Sequence, residues 1–194
     1  MSMARVGVLA LQGDVREHRR AFSSLEAEVL AVRSREDLDD LEGLVIPGGE
    51  STTIGKLAER FGMLEPLRAR ISQGLPVFGT CAGMIFLAAS VTEGSQPLLG
   101  VLDIVVQRNA FGRQNDSFEA DLDIAGLDEP FHAVFIRAPW VEKTGSGVEV
   151  LARVNDHPVM VRQGTILAGS FHPELTDDDR IHRMFLDLVA AHSS

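Results

Sequence analysis

The first half of the chain alternates short apolar runs with helical stretches, and this alternation limits the fold more than any other feature. Four runs predict buried strands: residues 5–11 (RVGVLAL), Glu28–Val32, Gly43–Ile46 and residues 76–80 (PVFGT). Helical patterns lie between them, at about residues 14–25, 52–60 and 64–73. Continuous apolar strands separated by helices are typical of a parallel sheet covered on both faces. In such a sheet, ligands bind beyond the carboxyl ends of the strands.

The second half of the chain predicts short strands with few helices between them. These strands lie at residues 101–108, 117–124, 132–136, 148–154, 159–162 and 165–171, and a last helix follows at about residues 179–191. The polar–apolar alternation of Asp121-Leu122-Asp123-Ile124 is typical of a half-exposed antiparallel strand. No repeat, low-complexity tract or linker divides the chain. We therefore predict one α/β domain over residues 1–194, with an open, mostly parallel sheet flanked by helices and an antiparallel extension.

Charge and cysteine content exclude several classes of function. The net charge of −10 repels phosphate backbones, so we expect no nucleic acid partner. No apolar run reaches the ~20 residues that span a bilayer, and the first residues lack a signal-peptide pattern, so we expect a cytoplasmic protein with no membrane contact. The single cysteine, Cys81, excludes an internal disulfide. It has two interpretations: a small buried hydrophobe or a catalytic nucleophile.

The surroundings of Cys81 favour the nucleophile. The motif Gly79-Thr80-Cys81-Ala82-Gly83 follows a predicted strand and opens a helix, which is the context of the G-x-S-x-G elbow with cysteine in place of serine. The flanking glycines allow the backbone to pass close to its neighbours. Such a turn exposes the sulfur above the sheet edge, places it at a helix N-terminus that favours thiolate, and offers the Ala82 N–H to an oxyanion.

A cysteine nucleophile needs a base, and the motif His172-Pro173-Glu174 follows the last predicted strand. A residue before proline is restricted to extended geometry, in which residues two apart share a face. Glu174 is therefore expected to hold the imidazole of His172, as the third member of a triad does. The first predicted helix begins near Asp14, with Glu17 as its capping-box partner.

The loop after the third strand has the sequence Pro47-Gly48-Gly49-Glu50-Ser51. A Gly-Gly pair reaches backbone conformations closed to other residues, so its N–H groups are candidates for the second half of an oxyanion hole. A Walker phosphate loop is the rival interpretation. It fails because Leu57 follows Lys56 where serine or threonine is required. The run Asp177-Asp178-Asp179 is interpreted as a helix-capping turn, and we expect no metal and no cofactor.

Six segments together resemble the class I (triad) glutamine amidotransferase family, and within it the glutaminase subunits of pyridoxal 5′-phosphate synthases. They are GVLALQGDVREH (7–18), LVIPGGESTT (44–53), FGTCAGMI (78–85), RNAFGRQNDSFE (108–119), FIRAP (135–139) and FHPEL (171–175). GTCAG and HPE mark the wider family, and the other motifs narrow the resemblance to these subunits. The segment at residues 91–99 (VTEGSQPLL) is interpreted as a variable surface loop with no assigned function.

The resemblance implies a flavodoxin-like fold and the triad Cys81, His172 and Glu174, which hydrolyses L-glutamine to glutamate and ammonia. It implies an oxyanion hole at Gly49 and Ala82 and glutamine binding by a set of six residues: Gly49, Glu50, Ser51, Arg108, Ile136 and Arg137. It also implies a partner, the synthase subunit, which receives the ammonia for pyridoxal phosphate (vitamin B6) synthesis, with Gln12 at the contact.

Two other classes of function stay open on the sequence alone. One is a free-standing cysteine hydrolase on a related sheet, which would need neither the PGGES motif nor Arg108. The other is a non-catalytic subunit that has kept the fold, and the intact triad residues argue against it. Ammonia release from glutamine with and without the synthase separates all three.

Overall fold

A computed structural model describes residues 3–112 and 116–193 of the 194-residue chain. Residues 113–115, in the middle of the RNAFGRQNDSFE segment, lie outside this described part. The helices are α1 Val15–Ser24, α2 Ser51–Arg60, α3 Leu64–Ser72, α4 Ala82–Leu87 and α5 Arg180–Ser193, with 3-10 turns at Glu36–Leu38 and Pro173–Leu175. The strands are β1 Arg5–Leu9, β2 Glu28–Val32, β3 Gly43–Ile46, β4 Val77–Thr80, β5 Ala88–Val91, β6 Leu102–Gln107, β7 Ser117–Leu122, β8 Phe131–Ile136, β9 Trp140–Thr144, β10 Glu149–Val154, β11 His157–Gln163 and β12 Ile166–Gly169.

The central sheet confirms the predicted α/β fold. Among the described residues its strand order is β10-β11-β12-β4-β3-β1-β2. The neighbours from β2 through β1, β3 and β4 to β12 are all parallel, and β11 and β10 extend the sheet antiparallel to β12. The parallel part has the strand order of flavodoxin-like folds, in which ligands bind at the carboxyl edge where the order reverses. The loops that follow β1, β3, β4 and β12 meet at that edge.

Two hydrophobic layers cover the sheet. The first packs α2, α3, α4 and the small sheet β5-β6-β9 on one face. The second packs α1, α5 and the hairpin β7-β8 on the other. Leu44 and Ile46 of β3 enter the first layer while Val45 enters the second, because side chains alternate across a strand. A strand buried on both faces must be apolar throughout, which is why the parallel strands were recognisable in the sequence.

Two strands were not predicted, and their sequences explain why. In β9 three of the five side chains are exposed, so WVEKT lacks an apolar pattern. In β5, AASV follows α4 directly, without a turn signal between them. The first strand is also shorter than predicted, ending at Leu9 rather than at residue 11. Among the helices of the described residues, none combines the length and the apolar character needed to cross a membrane.

Candidate active site

A cleft of about 340 Å³ opens at the carboxyl edge of the parallel strands. Its walls come from the loops after β1, β3, β4 and β12 and from the ends of β6 and β8. The structure brings ten of the predicted site residues together here: Gln12, Gly49, Glu50, Ser51, Cys81, Ala82, Arg108, Ile136, Arg137 and His172. Glu174, the remaining predicted residue, lies behind His172 with a fully buried carboxylate.

Cys81 lies in a tight turn between β4 and α4. Its backbone has φ +49° and ψ −104°, a strained conformation for a residue with a side chain, and its N–H donates to the Gly169 carbonyl at 2.8 Å. Gly83 makes the turn possible, because a Cβ there would lie 2.0 Å from the Ile46 carbonyl oxygen. The thiol is 6% exposed and approaches the Ile136 carbonyl at 3.9 Å. Ala82 is the first residue of α4, and first-turn N–H groups have no partner within a helix.

His172 follows β12 and is held against β8, since its N–H donates to the Val134 carbonyl at 2.9 Å. Its Nδ1 lies 2.7 Å from Glu174 Oε1. The expectation of a continuous extended run is wrong in detail, because Pro173–Leu175 forms a 3-10 turn. Proline suits the first position of such a turn, where its missing N–H leaves no bond unmade. The turn brings the carboxylate back to the ring, so the predicted contact is made by a different geometry.

Asp14 provides a second carboxylate for His172. The capping-box expectation for this residue is wrong: Asp14 precedes α1, but its side chain makes no capping bond. Its Oδ2 instead lies 3.3 Å from His172 Nδ1. The three side chains of Asp14, His172 and Glu174 have the spacing of a cation site, with ligand atoms within 4.8 Å of one another. A protonated imidazole already supplies a positive charge between the two carboxylates.

The contacts of His172 determine its protonation. Burial alone lowers its pKa, but hydrogen bonds with Asp14, Cys81 and Glu174 outweigh burial and raise the pKa to about 12. Burial raises the pKa of the Glu174 carboxyl, and the hydrogen bond and charge of His172 oppose that rise. His172 is therefore an imidazolium at neutral pH. An imidazolium beside a cysteine stabilises the thiolate, which is the nucleophilic form.

The oxyanion loop, residues 47–50, is held in place by hydrogen bonds to both the N–H and the carbonyl of Gly48. The Gly48 N–H donates to Thr80 Oγ1 at 3.1 Å, and its carbonyl accepts from the Asp14 N–H at 2.9 Å. The Glu50 N–H donates to Gln12 Oε1 at 2.8 Å. Gly49 has φ +153°, and a Cβ there would lie 2.4 Å from Gln12 Oε1. The loop therefore packs directly on the segment between β1 and α1, and Gln12 touches it.

One wall of the cleft, next to the oxyanion loop, carries charge. Glu50 accepts bonds from the Thr52 and Thr53 N–H groups at the start of α2, and its carboxylate lies 3.6 Å from the Arg108 guanidinium. Burial raises the pKa of Glu50, but the bonds from Thr53 and Thr52 and the charge of Arg108 lower it further than burial raises it. Arg137, also on this wall, has a strained φ of +42°.

Several residues around the site were missed in the sequence. Gln96, within the predicted variable loop, accepts from the Ser51 hydroxyl at 3.4 Å, so that loop contacts the site. Thr80 was treated only as part of the elbow, although its hydroxyl holds the oxyanion loop. His18 is fully buried against Thr80 and Glu174. No local pattern in the sequence indicates the role of His18, because its partners Thr80 and Glu174 are distant along the chain.

Comparison with known proteins points to one family. The model of the SNO glutamine amidotransferase family matches residues 8–191. A protein of Frankia alni named pyridoxal 5′-phosphate synthase subunit PdxT is 61% identical, covering 100% of this chain and 99% of that protein. A protein of the same name from Parafrankia is 64% identical, covering 97% of this chain and 95% of its own length.

Solved structures agree with the sequence relatives. A crystal structure of a glutamine amidotransferase superposes with a TM-score of 0.92 at 57% identity, covering 95% of this chain and 98% of that one. The structure of PurLQS from Thermotoga maritima gives a TM-score of 0.72 at 17% identity, with 100% of both chains covered. At that identity the likeness concerns the fold alone.

Proposed function

The chain belongs to the SNO glutamine amidotransferase family, and we propose that it hydrolyses L-glutamine at Cys81 and passes the ammonia to the synthase subunit of a pyridoxal 5′-phosphate synthase. It is a glutamine amidotransferase. Residues 1–194 form one domain for this task. The observation that carries the proposal is the geometry at the carboxyl edge, where a strained elbow cysteine shares a cleft with a histidine bonded to two carboxylates.

In the first half of the reaction the Cys81 thiolate attacks the carboxamide carbon of glutamine. The carbonyl oxygen becomes an oxyanion, which the N–H groups of Gly49 and Ala82 stabilise. The His172 imidazolium gives its proton to the leaving nitrogen, the C–N bond breaks, and ammonia departs. The products are a glutamyl thioester on Cys81 and a neutral His172. Glu174 and Asp14 hold the ring on its Nδ1 side throughout.

In the second half a water molecule attacks the thioester. Neutral His172 removes a proton from this water, and the same oxyanion hole holds the second tetrahedral intermediate. The C–S bond then breaks, which releases glutamate and restores the thiolate–imidazolium pair. No external oxidant, reductant or metal ion enters either step, so electrons and atoms balance with glutamine and water alone.

Substrate selection rests on the charged wall. Free glutamine carries an α-carboxylate and an α-ammonium, and Arg108 and Glu50 offer the opposite charges 3.6 Å apart. An arginine suits a carboxylate because its planar fork binds both oxygens. Gly49, Ser51, Ile136 and Arg137 complete the binding set. An amide within a protein lacks these free charges, so the wall favours the free amino acid.

Coupling to the partner is proposed to act through Gln12. Its Oε1 accepts from the Glu50 N–H, so a contact at this residue reaches the oxyanion loop directly. The Gly48 carbonyl accepts from the Asp14 N–H, and the Gly49 N–H of the same trans peptide points the opposite way. A flip of this peptide exchanges the two directions. Partner binding would then favour the orientation that aims the N–H at the oxyanion, as a population shift. We also propose that the chain works in the cytoplasm.

Ammonia release from glutamine, measured with and without the synthase subunit, tests the proposal. We expect a weak rate for the chain alone and at least about tenfold stimulation by the synthase, a fraction of the 10²–10³ that one oxyanion donor is worth. Gln12→Ala is expected to reduce the stimulation while leaving Cys81 reactive in the free chain. Full activity without the synthase would favour a free-standing hydrolase, and no activity with it would refute the proposal.

A further inference from the structure

The first turn of α1 contacts both the triad and the oxyanion loop. Asp14 and His18 are four residues apart and so share one face of this helix. Asp14 lies 3.3 Å from His172 Nδ1, and its N–H holds the Gly48 carbonyl. His18 approaches the other carboxylate oxygen of Glu174. The two residues therefore flank the His172–Glu174 pair from opposite sides.

His18 makes three polar contacts inside the protein. Its Nε2 lies 3.0 Å from Thr80 Oγ1 and 3.5 Å from Glu174 Oε2, and its Nδ1 lies 3.1 Å from His182 Nε2. The side chain is 0% exposed. Thr80 immediately precedes Cys81, and its hydroxyl accepts the Gly48 N–H. An uninterrupted line of contacts thus runs from the Glu174 carboxylate through His18 and Thr80 to the oxyanion loop.

The direction of these bonds follows from the chemistry of the partners. Burial lowers the pKa of His18 well below its usual value, and the charges of His182 and His172 lower it further, so the ring is neutral with one N–H. Glu174 Oε2 is buried and receives no geometrically good hydrogen bond within the described residues. An N–H on His18 Nε2 donates to Thr80 Oγ1 at 3.0 Å, and Glu174 Oε2 lies 3.5 Å from the same nitrogen, where the N–H and the carboxylate attract each other. His18 Nδ1 then accepts from His182.

Packing alone does not account for a histidine at this position. Its neighbours include the rings of Phe22 and Phe78, with centroids 6.5 Å and 6.2 Å away. Leucine or phenylalanine would fill such an apolar space without leaving any ring nitrogen in need of a partner, whereas a buried polar group is costly unless it is bonded. The polar atoms of His18 are used towards Glu174 and Thr80, the two contacts that lead to the reacting groups.

We propose that His18 is a positioning residue for glutamine hydrolysis, which links the Glu174 carboxylate to the oxyanion loop through Thr80. It touches neither substrate nor the reacting atoms. Its Nε2 lies against the free oxygen of the carboxylate that orients His172, and through Thr80 it holds the end of the loop that presents the Gly49 donor. The inference rests on the proposed glutaminase function and names a residue on which that function depends.

The test compares four variants in the complex with synthase, at a temperature where each is folded. His18→Leu removes the polar contacts, and His18→Gln keeps an amide N–H of similar reach. Phe22→Leu is the matched control. Phe22 is buried on the same helix as His18, and its replacement removes side-chain volume from the same part of the core without removing a polar contact to Thr80 or Glu174. Thr80→Val removes the intermediate hydroxyl while preserving shape. The readouts are kcat and KM for glutamine, with thermal unfolding measured in parallel.

We expect His18→Leu to lower kcat at least about tenfold, with KM within about twofold, since the loss weakens the placement of the Gly49 donor and one such donor is worth about 10²–10³. His18→Gln should recover much of the rate, and Phe22→Leu should lower the melting temperature while kcat stays near wild type. The His18→Leu and Thr80→Val double variant should be little worse than the more damaged single variant, because both break one line of contacts.

Three results would overturn the proposal. They are a His18→Leu enzyme within twofold of the wild-type kcat, a His18→Leu loss no greater than that of a Phe22→Leu enzyme of equal stability, and fully multiplicative effects of the His18 and Thr80 substitutions. If His18→Leu does not fold, His18→Asn, whose amide is too short to reach Thr80, replaces it in the same double-variant comparison with Thr80→Val. The wild-type complex tests the glutaminase function separately, because its ammonia release does not depend on any result with His18.

Discussion

Buried histidines lie on both sides of Glu174, and the two sides differ in charge. On the cleft side, His172 contacts Asp14 and Glu174 at 3.3 Å and 2.7 Å, and these contacts raise its pKa. On the core side, burial lowers the pKa of both His18 and His182. All three side chains are nearly inaccessible to solvent. Burial disfavours a charge on all three rings, and only at His172 do the hydrogen-bonding neighbours outweigh it.

The difference in protonation matches a difference in role: His172 transfers a proton in the reaction, whereas His18 and His182 hold other groups in place. Two carboxylates keep a proton on His172, which gives the cleft a group able to protonate a leaving nitrogen. The core side is built from Phe22, Phe78 and a pair of neutral imidazoles. A neutral ring offers one donor and one acceptor in fixed directions, which suits it to holding other groups in place. Glu174 faces both environments and connects them.

On the cleft side, we expect the largest loss of activity from removal of the nucleophile. Cys81→Ala removes the atom that forms the covalent bond, so we expect steady glutamine turnover to fall by about 10⁴ or more, as for other residues of a nucleophile–base unit. The fold should persist, because the elbow turn depends on Gly83 and its backbone contacts rather than on the sulfur. Turnover and circular dichroism check the two halves of this expectation. Measurable wild-type-like turnover would remove Cys81 from the mechanism.

The three triad residues should differ in how much activity is lost when each is replaced. His172→Asn should be nearly as severe as loss of Cys81, since base and nucleophile act together. Glu174→Ala should be milder, by about tenfold or more, because Asp14 remains on the same ring nitrogen. Steady-state kcat of the two variants gives the order. A Glu174→Ala enzyme slower than His172→Asn would show that the carboxylate has a larger task than orienting the ring.

The core side should make the fold sensitive to acid. His182 has a pKa of about 4 in the folded chain, because burial disfavours its charged form, whereas an unfolded histidine has a pKa near 6.5. Below pH 6.5 the unfolded state therefore binds a proton at His182 that the folded state does not bind. The free energy of unfolding consequently falls as the pH falls. The loss reaches about 3 kcal/mol near pH 4. His172 adds little below about pH 6, because its raised pKa keeps it protonated in the folded state and an unfolded histidine is protonated there as well.

Urea unfolding between pH 7 and pH 4 measures this loss. His182→Leu should reduce the pH dependence and leave the part that buried His18 contributes, while His192→Gln, an exposed change on the same helix, should leave it as in the wild type. An identical acid slope in wild type and His182→Leu would mean that His182 is not held neutral in the folded chain.

The charged wall lies outside both histidine environments and should respond differently. Arg108 is about one-third exposed, and we expect it to grip the substrate carboxylate equally in the ground state and the transition state. Arg108→Ala should then raise KM for glutamine by about tenfold with little change in kcat. Arg60→Ala, at the exposed C-terminal end of α2, is a control for loss of an arginine that does not line the cleft. A pure kcat defect in Arg108→Ala would assign Arg108 to the chemistry.

Sequence alone revealed the parallel sheet and the residues at its carboxyl edge, for a physical reason. A strand buried on both faces must be apolar, and an elbow needs glycine where another backbone passes, as Gly83 does beside Ile46. Both requirements leave patterns in consecutive residues. The resemblance to a known family then added Glu50, Arg108, Ile136 and Arg137, which no local pattern marked as ligands.

The remaining features depend on distant contacts. His18 is 62 residues from Thr80 and 164 residues from His182 in the sequence, so no local pattern indicates these contacts. Asp14 was expected to cap α1, yet the position of His172 gives its carboxylate a better partner. The exposed strand β9 likewise forms because β6 pairs with it, and its own sequence shows little preference.

The central claim is that Cys81, held opposite a charged His172, forms a covalent bond with the carboxamide carbon of glutamine. A glutamine analogue with an electrophilic carbon at that position measures it most directly, by intact mass and peptide mapping of the complex with synthase. We predict one adduct per chain, on the peptide that contains Cys81, with excess glutamine slowing its formation and His172→Asn slowing it further. An adduct on any other residue, or an enzyme inactivated with Cys81 unmodified, would contradict the account.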